Sequence, residues 1–293
     1  TTDPTADGQG FDTNLEGTAA TTGSATIVTG DKGLQITSDG ATDAFWISNS
    51  EYGDVTYSAD VEFTDQQGAA TLIFHSNGDL ANHYAYAANI NGASGECRVF
   101  KFGDSADLAK STTVPLSPDI RYHLSITMVG KHIVFSVNGT VVANTGDYTV
   151  DNGQSASTNA HYGQDDALLS GKLGLLTWNG SAWYQNVHAE ALTADNTPQL
   201  KDLSLSGDHV DMNFAYQADN YVYIGYVRNA GDAVALNVTP SNGNSTVTVR
   251  DQSGNIVDPQ HLALGLGENH YTMTVENGEA QVVYQLRLFR EGA

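Results

Sequence analysis

Apolar and polar positions alternate along much of this chain, most clearly in three consecutive runs at residues 70–76, 83–91 and 97–102. A period of two places successive side chains on opposite faces of a β-strand, so the pattern predicts three strands in succession. In the middle run one face carries Tyr84, Tyr86, Ala88 and Ile90, and the other carries Ala85, Ala87, Asn89 and Asn91. The first face is predicted to enter a core. On the second face, small side chains and two amides form a shallow polar floor, which favours a hydroxyl-rich ligand such as a sugar.

The same alternation continues on both sides of these runs and predicts an all-β protein. Tight-turn signals separate the strands, as at Asn138-Gly139, where both residues tolerate a positive φ. Many short strands joined by tight turns are typical of a sandwich or jelly roll rather than of a parallel sheet. The further strands predicted in this first region are residues 25–29, 33–37, 44–48, 55–63, 122–129, 132–138, 140–144, 172–178 and 183–191.

A second set of strands follows a short polar segment, residues 194–198, that ends in Pro198. Such a segment is typical of a linker, so two domains are predicted, at residues 1–195 and 196–293. Seven strands in a region of this size are typical of a small antiparallel sandwich. They are predicted at residues 200–206, 210–214, 221–227, 233–239, 246–250, 270–276 and 282–290.

Residues 146–170 interrupt the alternation, because the segment has almost no apolar side chain before Ala167. A loop of this length inside a compact domain is either functional or mobile. The sequence favours neither interpretation.

The net charge of the chain limits the kinds of molecule that it is expected to bind. The chain has 293 residues, with 34 acidic against 12 basic side chains and a formal net charge of −22. Such a surface repels nucleic acid phosphates and anionic lipid headgroups, so neither nucleic acid binding nor membrane insertion is expected. It is compatible with a neutral glycan, with Ca²⁺ or with simple solubility. All three tryptophans, which suit stacking on a sugar, fall in the first region, at positions 46, 178 and 183.

Cys97 is the single cysteine, so no intrachain disulfide can form, and a small buried strand residue is expected there. The chain opens TTDPTADGQG, without Met or the apolar core of a signal peptide, and it has no apolar run of membrane-spanning length. A fragment or a mature form is therefore expected. The bias toward Thr, Ala, Gly, Asn and Asp is typical of secreted bacterial polysaccharide-handling proteins and indicates an extracellular location, secreted or attached to the cell surface.

Particular runs of sequence resemble known families. The run YAANINGASGECRVFKF, preceded by ATLIFHS and followed downstream by GKLGLLTWNGSAWYQNV, resembles the fructan-binding carbohydrate-binding modules of bacterial exo-levanases, within the concanavalin A-like lectin/glucanase superfamily. This likeness covers residues 33–192 and implies a jelly-roll sandwich. In the second region LSLSG, Phe214, Tyr223, LGLGENHYTMTV and YQLRLFR resemble a cadherin-like β-sandwich repeat, which implies a spacer.

The resemblance implies that the first domain binds the non-reducing end of a β-fructan on the open face of its sheet. The candidate contacts that follow from it are Glu51, His75, Asn89, Asn91 and Trp178, to which the residues alone add Arg98 as a source of charged donors. His75 stands where many relatives have Arg, and Asn91 where they have Asp, so a charge pair of the family is missing. Each candidate also has a structural interpretation: a hydrogen-bonded histidine, an ordinary Asn-Gly turn, a core tryptophan. Strand register leaves the face of Arg98 open.

The strand before Trp178 bears on its orientation. Leu173 and Leu175 occupy alternate positions that look like core. Leu176 and Trp178 are therefore predicted to face away from the core, where either a sugar or the 146–170 loop would cover them.

No HExxH, GxSxG, P-loop or CxxC motif occurs, nor a WMNDPNG-like stretch of the kind that the catalytic domain of fructan hydrolases contains. Asp165 and Asp166 are adjacent, and adjacent strand residues point to opposite faces, so they make a poor carboxylate pair. His161, His188, His261 and His270 lack metal-ligand spacing. No cofactor is expected, although Asp- and Asn-rich loops leave structural Ca²⁺ open. The chain is therefore predicted not to be an enzyme.

Together these observations predict a non-catalytic carbohydrate-binding region of a secreted bacterial fructan-degrading glycoside hydrolase, with a polysaccharide such as levan or inulin as its partner. Two alternatives stay open. One is a lectin-like adhesin or surface module that binds host glycans. The other is a complete small glycoside hydrolase of the lectin/glucanase superfamily.

Overall fold

A computed structural model describes residues 11–79, 85–102, 107–146 and 168–293, and every regular element in those ranges is a β-strand. The predicted all-β class is confirmed. The chain falls into two compact units, Thr1–Leu192 and Thr193–Ala293. The domain division predicted at residue 195 stays a prediction. None of the described segments forms a helix that could cross a membrane.

The described residues of the first unit form fourteen strands in two seven-stranded sheets, in which all strand pairs are antiparallel. The first sheet has the order β1-β4-β13-β6-β7-β8-β9, and the second has the order β12-β11-β10-β5-β14-β3-β2. The strands are β1 Gly17–Thr21, β2 Thr26–Gly30, β3 Gly33–Ser38, β4 Ala44–Tyr52, β5 Val55–Phe63, β6 Ala69–Ser76, β7 Tyr86–Asn91, β8 Glu96–Lys101, β9 Thr112–Thr113, β10 Tyr122–Val129, β11 His132–Val137, β12 Thr140–Asn144, β13 Gly171–Trp178 and β14 Gly180–Ala191.

The core lies between the two sheets and follows the predicted alternation. The first sheet contributes side chains such as Leu72 and Phe74, and the second contributes Val61 and Phe135, all fully buried. Burying each such side chain stabilises the fold by about 1.5–3 kcal/mol. The polar or small residues between them face outward, because successive strand residues point to opposite sides.

Two buried tyrosines of the second sheet hold β13 in place. The Tyr57 hydroxyl donates to the Gly174 carbonyl at 2.8 Å, and the Tyr184 hydroxyl donates to the Leu176 carbonyl at 2.7 Å. A buried hydroxyl without a partner is costly, so these bonds fix the position of the strand across the core. That strand leads directly to Trp178.

The observed strands depart from the predicted ones in few places. β1 was not predicted, because GTAAT has no large apolar side chain to mark a buried face. The Asn138-Gly139 turn is confirmed, with φ of 51° and 81°. Tyr84 and most of the predicted 146–170 loop lie outside the described residues.

The second unit forms a three-stranded sheet, β15-β18-β20, and a five-stranded sheet, β16-β17-β22-β21-β19. One pair departs from the antiparallel pattern, since β17 runs parallel to β22. The alternation of apolar and polar residues predicts which side chains face the core, but it does not predict the direction of a neighbouring strand. The likeness to a cadherin-like repeat stays a prediction. The strands are β15 Leu200–Ser206, β16 Val210–Met212, β17 Val222–Val227, β18 Ala233–Pro240, β19 Thr246–Arg250, β20 Leu262–Ala263, β21 Gly267–Asn277 and β22 Ala280–Arg290.

Candidate functional site

The three tryptophans occupy different environments. Trp46 is fully buried, with Phe11 in edge-to-face contact at 5.7 Å between ring centroids, and Trp183 is half-buried on the second sheet. Trp178, at the end of β13, is 55% exposed, and no ring contact joins it to another described residue. Leu173 and Leu175 are buried in the core, so β13 alternates as predicted, with Trp178 on the outer face.

Trp178 lies beside a cleft of about 690 Å³ at one end of the first sheet. The register aligns Trp178 with Ala69 on β6, and Ala69 with Asn91 on β7. The loop before β6, the turn after β7 and the turn after β13 therefore meet at the same end. The cleft is lined by residues 65–68, 91–94, 178–179 and Leu116.

The backbone packing around the cleft is close, which fixes its shape. A Cβ on Gly68 would lie 2.4 Å from the Trp178 carbonyl oxygen, and a Cβ on Gly180 would lie 2.4 Å from that of Gln67, so no side chain fits at either position. The amide of Gly92 donates to the Gly68 carbonyl at 2.6 Å. Because glycines and a backbone hydrogen bond join the loop and turns directly, the cleft is preformed.

Amides and hydroxyls supply most of the polar groups in the cleft. The Asn91 Oδ1 accepts from the amides of Ala93 and Ser94 at 2.9 and 3.0 Å, and its Nδ2 makes no hydrogen bond to a described residue. Among the described residues that line the cleft, Asp65 is the one carboxylate, and none is Lys or Arg. A donor and acceptor set made mostly of uncharged amides beside an exposed indole suits a neutral polyhydroxylated ring, whose C–H face covers the indole.

Asn89 and Arg98 lie one row further into the sheet and are not part of the cleft lining. They are aligned on β7 and β8, so Arg98 shares the outer face with Asn89, which settles the register that the sequence left open. Asn89 is only 9% exposed. The guanidinium of Arg98 makes 2.8 and 2.7 Å contacts with Asp107 and lies 4.7 Å from the centroid of the Phe100 ring. Its charge is therefore already paired.

His75 is buried, and its position does not support a ligand contact. It is 1% exposed, with Nδ1 at 2.8 Å from the Leu168 carbonyl oxygen and Nε2 at 2.9 Å from that of Gly53. Its φ of 51° is unusual for a non-glycine residue. The alternative interpretation of His75, a hydrogen-bonded structural residue, matches this arrangement.

Glu51 is also remote from the cleft. It is exposed on β4, aligned with Lys172 at the start of β13. Trp178 follows Lys172 by six positions, which is about 20 Å of extended strand. The predicted contacts therefore do not form one site: Trp178 and Asn91 line the cleft, Asn89 and Arg98 lie beside it, and His75 and Glu51 lie toward the opposite end.

Sequence reasoning missed several residues that line the cleft. Gln66, Gln67 and Asn179 carry amides, and Gln66 and Asn179 have positive φ values of 51° and 54°. Turn signals at DQQG and NG were available as a clue. The signal could not be used without the strand order, since these residues meet only because β6 and β13 are neighbours.

The remaining reactive groups do not add to this site. Cys97 is buried on the core side of β8, and burial raises the pKa of its thiol to about 12, so it stays a neutral, inert side chain. Within the described ranges no group of three His, Cys, Asp or Glu could hold a metal ion. His161, Asp165 and Asp166 lie outside those ranges.

Comparison with known proteins gives a consistent set of relatives. A family model described as a 3-keto-alpha-glucoside-1,2-lyase-like domain matches residues 5–190. A fructan beta-fructosidase from Streptococcus mutans is 31% identical over 266 residues, which is 89% of this chain and 18% of that protein. A levanase from Bacillus subtilis is 28% identical over 163 residues, which is 55% of this chain and 21% of that protein. The chain thus spans about a fifth of the length of these curated relatives.

Among solved structures, a carbohydrate-binding module from Bacillus subtilis, CBM66, is similar at 24% identity and a TM-score of 0.49, covering 62% of this chain and 99% of that one. A Bacillus subtilis protein of unknown function with a galectin-like fold is similar at 16% identity and a TM-score of 0.46, covering 59% and 88% respectively.

These comparisons correct one prediction. The chain was expected not to be an enzyme, because it lacks familiar catalytic motifs. That expectation is wrong, since the matching family model describes a lyase-like domain and the two curated relatives are named as a fructan beta-fructosidase and a levanase. Absence of a known motif excludes only the chemistry that needs that motif.

Proposed function

The chain belongs to the family of 3-keto-alpha-glucoside-1,2-lyase-like domains, and from this membership we propose that it holds the terminal sugars of a β-fructan, such as levan or inulin, in the cleft beside Trp178. At the coarser level it is a carbohydrate-binding or glycoside hydrolase-related module, homologous to fructan beta-fructosidase and levanase. We place this binding outside the cell, where such a polymer is found. The chain would act there as part of a larger fructan-degrading protein.

The observation that carries the proposal is the exposed indole of Trp178 beside the amide side chains of Gln66, Asn91 and Asn179. An indole that is 55% exposed is costly unless a partner covers it in the working state. The cleft supplies Asn91 Nδ2 and the amides of Gln66 and Asn179 as groups that can meet hydroxyls. One stacked ring and a few hydrogen bonds predict a Kd between about 10 µM and 1 mM, or about −4 to −7 kcal/mol.

Titration calorimetry with levan and inulin tests this proposal on two matched tryptophan variants. Trp178→Ala should weaken binding by about 1–3 kcal/mol, as loss of a central aromatic contact does, and leave the melting temperature within a few degrees. Trp183→Ala, on the second sheet, should leave the affinity unchanged. Unaltered binding by a folded Trp178→Ala protein would remove this cleft as the site, and binding of mucin glycans but not fructans would favour an adhesin.

A catalytic role is the second candidate, because the family model describes a lyase-like domain and Asp65 places a carboxylate at the cleft. The same protein is therefore incubated with levan, inulin and keto-disaccharides, and released sugars are measured. If Asp65 acts as an acid or base, Asp65→Asn should abolish release while leaving binding within a few-fold. Release that persists in Asp65→Asn would place the chemistry elsewhere.

A further inference from the structure

The cleft is wider than the contact surface of Trp178. Its lining begins at β13 with Trp178, crosses the loop before β6 and the turn after β7, and reaches Leu116, just beyond β9. Strands β13, β6 and β7 are consecutive neighbours in the first sheet, so two strand spacings, about 10 Å, separate Trp178 from the turn at residues 91–94. A sugar ring is about one strand spacing wide, and the cleft therefore has room for more than one.

The far side of the cleft offers the same kinds of contact as the Trp178 side. Ser94 is exposed; its backbone amide donates to Asn91 Oδ1 at 3.0 Å, and its Oγ accepts from the Glu96 amide at 3.2 Å, so the turn is fixed while the hydroxyl can still donate its hydrogen to a ligand. Leu116 is half-buried and packs against the main core while lining the cleft. A hydroxyl can hydrogen-bond to a second sugar ring while the apolar surface beside it packs against that ring. The volume of 690 Å³ also falls within the range of small-molecule sites, about 300–1,000 Å³, and exceeds what a single sugar ring fills.

We propose that the cleft binds a segment of two to three consecutive sugar units, with the terminal unit on Trp178 and the last one against Ser94 and Leu116. This inference rests on the proposed function, because it concerns the same cleft. It goes further by assigning the length of the bound segment and the residues that contact its far unit.

A length series tests the inference on the full chain. Fructose and β-fructo-oligosaccharides of two to five units are titrated calorimetrically. Affinity should rise at least fivefold from one unit to three, and then change less than twofold up to five units. Equal affinity for one and three units would overturn the inference while leaving fructan binding at Trp178 intact. Absence of binding at every length would overturn the proposed function and this inference together.

Two variants locate the far contacts. Ser94→Ala should lower the affinity for the trisaccharide at least threefold and leave that for fructose within twofold, whereas Trp178→Ala should lower both. Ser50→Ala, an exposed serine on β4 toward the opposite end of the sheet, is the matched control and should change neither. Because Leu116→Ala could disturb packing, Ala93→Arg, at an exposed turn position, is the second probe and should block the trisaccharide selectively. If Ser94→Ala or Ala93→Arg lowers the affinity equally for ligands of every length, the terminal and far sugar units do not have separate contacts, and the inference is wrong.

Discussion

The two ends of the first sheet carry similar polar residues and use them differently. At the end near Trp178, Asn91 Nδ2 and the amides of Gln66 and Asn179 line an open cleft. At the other end, His75 is buried with both ring nitrogens against carbonyl oxygens. A polar residue is available to a ligand only where its donors and acceptors are not already used by the protein. Whether a side chain's hydrogen-bonding groups are used within the protein therefore distinguishes binding residues from structural ones better than residue type does.

The largest expected effect lies at the closed end. His75→Ala should reduce the free energy of unfolding by about 2–4 kcal/mol, because it leaves the buried Leu168 carbonyl without its partner and opens a cavity. Alanine at a φ of 51° adds backbone strain. Urea denaturation measures the loss, and levan affinity of the folded fraction should not change.

His261→Ala is the matched control, since His261 is exposed in the second unit, and it should stay within about 0.5 kcal/mol of the parent. A His75→Ala protein of parental stability but weaker levan binding would reverse the assignment of the two ends.

This contrast also marks what the sequence could predict. The strand at residues 55–63 and the outward direction of Trp178 follow from local alternation, which needs no knowledge of neighbours. The pairing of β13 with β6 joins residues about a hundred positions apart, so the meeting of Gln67 with Asn179 could not be foreseen. The burial of His75 was equally inaccessible, because its partners, the carbonyls of Gly53 and Leu168, leave no side-chain pattern.

Asn91 has both a structural role, through Oδ1, and a proposed binding role, through Nδ2. Two substitutions at this position can separate the two roles. Asn91→Ala should lower stability by about 1 kcal/mol, since the amides of Ala93 and Ser94 lose their acceptor, and should weaken levan binding by a similar amount. Asn91→Asp keeps the acceptor and removes the Nδ2 donor, so stability should be retained and binding should still weaken. Thermal unfolding and calorimetry on both variants provide the two measurements. Full binding by Asn91→Asp would show that Nδ2 does not contact the sugar.

A smaller effect is expected at Glu51. Its exposed carboxylate is aligned with Lys172 in the strand register but forms no ion pair with a described residue, and exposed side chains of this kind contribute little to stability. Glu51→Gln should therefore change stability by less than about 0.5 kcal/mol and leave levan affinity unaltered, as measured by the same two methods. A loss of affinity beyond threefold would mean that the ligand extends along the whole sheet, and the distinction between the two ends would fail.

The smallest effect is expected when residues 196–293 are removed. All residues of both ends, from Glu51 to Asn179, lie in the first unit, which has its own core between two complete sheets. A protein of residues 1–195 should therefore unfold cooperatively and bind levan within twofold of the parent, as followed by circular dichroism and calorimetry. If it unfolds without a cooperative transition, the predicted division at residue 195 is wrong. If it folds but binds more than tenfold more weakly, the second unit contributes to the site, and the open end of the sheet is not sufficient for binding by itself.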